Sequence, residues 1–395
     1  MPDISQKGLE MPDSPIRKLA PFANAAKAAG RHVIHLNIGQ PDISSPQPAI
    51  DAMRNLENKV IEYSPSEGFE SYRKGLAGYY LGVGVEVSPE EILITTGGSE
   101  ALVFAFLSCL NPGDEVIIPE PFYANYNGFA TMAGVTIVPV TARIENGFAL
   151  PPMEDFAAAI TEKTRAILIC NPGNPTGKVY ADKALDALSD LVKKHDLFLF
   201  ADEVYREFTY DGDMPKSILT FAGLEEHVVV VDSVSKRYSM CGARIGALVT
   251  RNPNVRQAAM KFAMARLSPP TLAQIAAEAA LKTDPAYFDR VRELYKERRD
   301  VLVDGLNAIP GVVCPRPGGA FYAVAQLPIG DAEDFCKWLL ESFSHEGTTV
   351  MMAPNSGFYA SPGRGMNEVR LAYVLDLPEI HKAVQCLAEA IHVYA

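Results

Sequence analysis

Between Ile92 and Thr250 the chain carries seven short apolar runs: Ile92–Thr96, Glu115–Pro119, Thr136–Val140, Ala166–Cys170, Leu197–Ala201, Val228–Val234 and Ile245–Thr250. A strand with one wet face alternates apolar and polar residues, so a continuous apolar run marks a strand covered on both faces. Stretches of helical length separate the runs. Parallel neighbours need such crossovers, whereas hairpins need only short turns. The pattern predicts an α/β fold with a seven-stranded, mostly parallel sheet carrying helices on both faces.

A chain of 395 residues has room for one large α/β domain, expected over residues 46–284, and a smaller one over residues 285–395. A long helix is expected from Asp284 to Ile309, where Phe288, Val291, Leu294, Tyr295, Val301, Leu302 and Leu306 keep helical spacing. Gly318–Val324, Thr348–Ala353 and Glu368–Val374 then read as strands, and Pro378–Val393 as the last helix. Residues 1–45 are expected to form an arm packing on the smaller lobe. The arm's helix would start at Asp13-Ser14-Pro15 and its strand would run from Val33 to Gly39; a further helix is expected over Pro48–Asn58.

A formal net charge of −12 argues against a nucleic-acid or anionic-membrane surface, which needs clustered cations. The six cysteines are scattered with no C-x-x-C pair, a pattern of reduced thiols rather than a disulfide framework or a metal site. No run reaches the roughly 20 apolar residues that span a bilayer, and a cytoplasmic location is expected.

In an open α/β sheet, ligands bind outside the carboxyl ends of the strands, so the residues that follow each run matter most. Ile92–Thr96 leads to Gly97-Gly98-Ser99 at a helix start, where free N–H groups and the helix dipole favour a phosphate. Read alone, this is a tight turn capped by Ser99. It is neither a Walker A loop nor G-x-G-x-x-G. Glu115–Pro119 leads to Tyr123, an aromatic that can cover a flat ring or pack in a core. Ala166–Cys170 leads to the turn formers Asn171 to Gly177, which fix a rigid loop presenting Asn174. Leu197–Ala201 leads to Asp202, an acid costly to bury without a cation or donor, with Tyr205 three residues on. Val228–Val234 leads to Lys236, followed eight residues later by Arg244 between Gly242 and Gly246. Most lysines are solvated, but burial favours the neutral, nucleophilic amine. An amine, an acid, a phenol, an aromatic, an anion-binding turn and an arginine at successive strand ends are what pyridoxal phosphate requires.

From LNIGQPD (Leu36–Asp42) to EVRLAYV (Glu368–Val374) the chain resembles the class I/II aminotransferases, pyridoxal 5′-phosphate enzymes of fold type I related to aspartate aminotransferase. The most specific matches are NPGNPTG from Asn171, DEVY from Asp202, SVSK from Ser233 and GARIG from Gly242, in the family's order. The resemblance implies that Lys236 joins the cofactor's aldehyde as a Schiff base and later moves the proton between Cα and the cofactor. It implies that Asp202 keeps the pyridine nitrogen protonated, that Tyr205 and Asn174 bond the ring's 3′ oxygen, and that Tyr123 stacks on the ring. Gly98, Ser99, Ser233 and Arg244 would hold the phosphate, joined by Tyr63 from the other subunit of a homodimer. Arg370 would grip the substrate α-carboxylate, with Gly39 and Asn174 completing that site. Without the resemblance, Arg370 reads as a solvated residue on an alternating strand beside Glu368.

The implied activity is ping-pong transfer of an amino group between an L-amino acid and a 2-oxo acid such as 2-oxoglutarate. Aspartate or glutamate is the first expected donor and aromatic amino acids the second. Three positions depart from the family pattern: Arg237, where a small or hydroxylic residue is usual; Pro354-Asn355-Ser356-Gly357-Phe358-Tyr359, in place of PGxxFG; and Ser99, where some aspartate-using relatives carry lysine. The sequence assigns no role to Arg237. Two alternatives share the cofactor machinery: a β-lyase of sulfur amino acids, and a non-enzymatic cofactor-sensing regulator, which the presence of Lys236 disfavours.

Overall fold

The computed structural model describes residues 2–57, 59–212 and 214–394. After a first strand, β1 (His32–His35), all seven apolar runs form strands: β2 (Ile92–Thr95), β3 (Glu115–Glu120), β4 (Thr136–Thr141), β5 (Thr164–Cys170), β6 (Phe198–Asp202), β7 (Val228–Ser233) and β8 (Gly246–Val249). These seven make one sheet in the order β2-β8-β7-β6-β5-β3-β4. Strand β8 runs antiparallel to both neighbours, and the other adjacent pairs are parallel.

The apolar continuity of the runs has a direct cause. Leu93, Val116, Leu168, Phe200, Val229 and Leu248 face one buried layer with Phe106 and Ala259. Their neighbours Ile94, Ile117, Ile167, Leu199, Val230 and Val249 face the other, with Tyr72, Leu76, Leu188 and Ala276. Side chains alternate as in any strand, but both faces are dry. Burying one such side chain is worth about 1.5–3 kcal/mol, so each of these six runs anchors two layers at once, while the edge strand β4 is only part-buried.

The remaining strands are β9 (Tyr322–Gln326), β10 (Thr348–Met351), β11 (Ala353–Pro354) and β12 (Glu368–Ala372). They divide between two small sheets: β11-β12-β9 is antiparallel, and β10 pairs in parallel with β1 of the arm. Strand β12 is buried from end to end, so Arg370 is not the solvated residue that alternation suggested. Val369 and Leu371 enter the core on one face, while Asn355 and Phe358 cover Glu368 and Arg370 on the other.

The expected long helix spans Pro285–Asn307, with Asp284 capping it through a bond from the Ala286 N–H at 2.9 Å and proline at its first position. The last helix is Leu377–Tyr394. In the arm, the helix starts later than expected, at Ala20–Ala28, because Ser14–Leu19 is used in turns; a short helix at Gln6–Glu10 was not anticipated. The helix expected over Pro48–Asn58 is Gln47–Arg54, and Asn58 lies outside the described residues. Among the described residues no helix is long and apolar enough to cross a membrane.

Candidate active site

Every candidate residue except Tyr63 lines one cavity of about 590 Å³, at the carboxyl ends of the parallel strands. The Ser233 hydroxyl ends β7 by accepting from the Ser235 N–H at 3.1 Å, which starts a single helical turn, Val234–Arg237. From that turn the Lys236 Nζ donates to the Gly39 carbonyl at 2.9 Å and lies 3.7 Å from the Cys241 sulfur. A Cβ at Gly39 would fall 1.9 Å from the Tyr322 hydroxyl, so only glycine lets this backbone approach the amine.

Because β8 is reversed, the link from Val234 to Ile245 leaves and rejoins the sheet at the same edge. Arg244, at a left-handed φ of 56°, donates to the Cys241 carbonyl at 3.0 Å and lies 3.5 Å from the Ser235 hydroxyl. Opposite it, the helix Gly97–Cys109 begins. A Cβ at Gly97, itself at φ 75°, would sit 2.4 Å from the Arg244 guanidinium. Gly97 therefore clears the space between a guanidinium and a helix start, a cradle suited to a phosphate. Sequence reasoning named Gly98 and Ser99 for that role, and the clearance at Gly97 adds to them. It also named Ser233, whose hydroxyl is spent on Ser235 and the Ile245 carbonyl; the Ser235 hydroxyl, beside Lys236 in sequence, is the one that meets Arg244.

Asp202 ends β6 in a buried position. The Tyr126 hydroxyl donates to its Oδ2 at 2.7 Å, and the Val204 N–H approaches Oδ1 at 3.4 Å. Burial pushes its carboxyl up to about 6 against the pull of these donors. No protein cation pairs with it among the described residues. The Tyr205 and Tyr322 hydroxyls meet at 3.1 Å. Tyr123 stands edge-on to Tyr126 with ring centres 5.5 Å apart, and Asn125 donates to its hydroxyl at 2.9 Å. In the turn-forming loop, Asn171 is structural, accepting from the Tyr180 N–H at 2.9 Å, while Asn174 faces the cavity.

Arg370 is 1% exposed, yet no carboxylate pairs with it among the described residues. Its Nη1 donates to the Asn174 Oδ1 at 3.1 Å and its Nη2 to the Asn37 carbonyl, while Nε has no partner. The rings of Tyr322 and Phe358 lie 4.6 and 4.8 Å from the guanidinium. Burial lowers its affinity for a proton. A buried guanidinium without an acid is costly, and an anion in the cavity would satisfy it.

Arg237, the unassigned neighbour of Lys236, points away from the cavity. Its Nη2 donates to both oxygens of Asp232 at 2.6 Å, its Nε donates to Glu207 at 2.8 Å, and its guanidinium stacks 3.9 Å from the Tyr79 ring centre. Tyr80 donates to the same Asp232 at 3.0 Å. Arg237 thus fixes the underside of the lysine-bearing turn. Tyr63 is 79% exposed on the outer surface, away from the cavity of its own chain.

These features fit pyridoxal phosphate: a lysine amine in reach, a buried acid lacking a cation, and a guanidinium facing a helix start. A family model described as Aminotransferase class I and II matches residues 31–387, and the chain belongs to that family. It is a pyridoxal-phosphate-dependent aminotransferase acting on an amino acid and a 2-oxo acid. It is 34% identical over 373 residues to the aspartate aminotransferase of Bacillus subtilis, covering 92% of each chain. It is 33% identical over 371 residues to the aspartate/prephenate aminotransferase of Thermus thermophilus, again covering 92% of each. The structure of the Thermus thermophilus aspartate aminotransferase with maleate superposes with a TM-score of 0.90 at 31% identity, covering 99% of this chain and 100% of that one.

Proposed function

We propose that this aminotransferase exchanges amino groups between dicarboxylic substrates, with aspartate or glutamate as donor and a 2-oxo acid such as 2-oxoglutarate as acceptor. The observation that carries the amino-acid part of this reading is Arg370, a buried guanidinium aimed into the cavity with no acid of its own. It binds the substrate α-carboxylate, and Asn174 and the backbone at Asn37 fix its plane. Two relatives named as aspartate-using enzymes and a neighbour solved with maleate, a dicarboxylate, support the substrate class.

The bound cofactor supplies an electron sink for the electrons released at the substrate Cα. The chain's own residues do the rest. Lys236 carries the proton to and from Cα, with the Gly39 carbonyl orienting its amine. Asp202, whose carboxylate plane Tyr126 fixes, would hold a proton at the ring nitrogen of the bound cofactor. With the cofactor bound, Tyr205 and Asn174 would bond the ring's 3′ oxygen, Tyr123 would cover the ring, and Gly98, Ser99, Ser235 and Arg244 would hold the phosphate. Tyr63 serves the partner's phosphate in a homodimer, a role its exposure on its own chain leaves open to it. The six free thiols support a cytoplasmic location.

The test is half-transamination. Aspartate or glutamate added to the holoenzyme should shift the cofactor's absorbance, and 2-oxoglutarate should restore it. Borohydride reduction of the holoenzyme, followed by peptide mass spectrometry, should place the cofactor on Lys236. Release of pyruvate and ammonia without any 2-oxo acid would instead identify a β-lyase.

A further inference from the structure

We infer that Arg17, on the amino-terminal arm, receives the distal carboxylate of a dicarboxylic substrate and so sets side-chain selectivity. The inference rests on the dicarboxylate reading above. The cavity is lined by four cationic side chains, Arg17, Lys236, Arg244 and Arg370. Three are engaged: Lys236 with the Gly39 carbonyl, Arg244 with the Cys241 carbonyl, and Arg370 with Asn174 and Asn37. The Arg17 guanidinium makes no hydrogen bond or ion pair among the described residues; its backbone alone is engaged, the N–H with the Ser14 carbonyl and the carbonyl with the Ala20 N–H.

Arg17 is also held in fixed relation to Arg370. Asn37 donates through Nδ2 to the Ile16 carbonyl at 2.9 Å, and the Asn37 carbonyl accepts from Arg370. Ile16 packs with Ala124, Ala353 and Phe358, and Phe358 covers the Arg370 guanidinium. The preceding Pro15 lies so close to Gly357 that a Cβ there would fall 2.4 Å from it. One asparagine and one phenylalanine therefore tie the two arginines to a single wall. The acid that lines the cavity among the described residues is Asp202, which the reading above assigns to the ring nitrogen. No acid on the arm's wall neutralises Arg17. The phosphate turn carries the uncharged Ser99 and adds no further cation. A substrate with two carboxylates bridges Arg370 and Arg17, whereas a monocarboxylate uses Arg370 alone. Arg17 is exposed, so screening keeps its contribution near the lower end for a charge-assisted hydrogen bond, about tenfold in binding.

The test uses holoenzyme carrying Arg17→Gln or Arg17→Lys beside the wild type. Specificity constants for 2-oxoglutarate and oxaloacetate are compared with that for pyruvate, and maleate affinity is titrated calorimetrically. Arg17→Gln should lower the dicarboxylate-to-pyruvate ratio about tenfold and weaken maleate by a similar factor, and Arg17→Lys should recover part of both. An unchanged ratio in Arg17→Gln, with a wild type that prefers dicarboxylates, overturns this inference and leaves the substrate reading standing. A wild type without that preference overturns both.

Discussion

Arg237 grips both carboxylate oxygens of Asp232 at 2.6 Å, which ties the residue next to the reactive lysine into a buried ion pair under the active-site turn. Glu207 completes the set at 2.8 Å, and all three side chains are buried. Replacing one partner of such a group leaves uncompensated charge, which costs about 3–5 kcal/mol. Arg237→Met should therefore lower the unfolding free energy, read from chemical denaturation, by that amount, and Arg237→Lys should rescue it only in part, because an ammonium lacks the planar fork.

The carboxyl of Asp202 gives a pH signature. Burial raises it to about 6 from an ordinary 3.8, so the folded protein holds this proton more tightly than the unfolded chain. The resulting stabilisation is present below the unfolded value and is lost as pH rises through the folded one. Between about pH 4 and about pH 7 the cofactor-free wild type should lose up to about 3 kcal/mol relative to Asp202→Asn. Denaturation of the two cofactor-free proteins across that range measures it. Parallel curves would mean that the carboxyl titrates alike in both states.

Arg370 sets function against stability. Truncating one partner of a buried charged contact costs 2–5 kcal/mol in binding, so Arg370→Met should lower kcat/KM at least about thirtyfold for every amino acid and 2-oxo acid. The same change removes a buried charge that has no acid beside it, so the cofactor-free variant should be as stable as the wild type or about 1 kcal/mol more stable. Kinetics and denaturation midpoints on one preparation show whether the two effects run in opposite directions.

The dimer can be tested at its proposed seam. Val60, Ile61 and Tyr63 are 65%, 62% and 79% exposed, and Met264 and Leu267 are more than half exposed. Hydrogen bonds join these two stretches, from Thr271 to the Glu62 carbonyl at 2.7 Å and from Ser66 to the Leu267 carbonyl. An exposed apolar patch of this kind marks a partner surface. Val60→Lys combined with Ile61→Lys should give a monomer by analytical ultracentrifugation, with weakened cofactor retention. A fully active monomer would remove Tyr63 from the site.

What the sequence disclosed follows the range of the forces involved. Apolar continuity within one strand is local information, so all seven central strands were legible, and the residue following each parallel run, though not that following the reversed β8, was already fixed at the edge where ligands bind. Asp202, Lys236 and Asn174 could be found this way. Tyr322 could not, because it reaches Tyr205 across 117 residues from another sheet. Tyr126 left a faint signal, three residues after Tyr123 and in the first turn of the helix Asn125–Ala133, but nothing in that spacing points to Asp202. Arg237 was illegible because its partners are an acid on β7 and another 30 residues upstream. Arg370 was misplaced by period alone: alternation on β12 is real, but the turn Asn355–Phe358 dries the face it occupies.

The reversed β8 has a consequence for how such a site can change. Because the link from β7 to β8 never leaves the ligand edge, the amine of Lys236 and the guanidinium of Arg244 hang from one short cassette. An insertion or deletion there moves the nucleophile and the anion clamp together. Reactivity and cofactor retention therefore drift in step, while the substrate contacts proposed for the arm and β12 sit on other elements and are free to diverge without disturbing either.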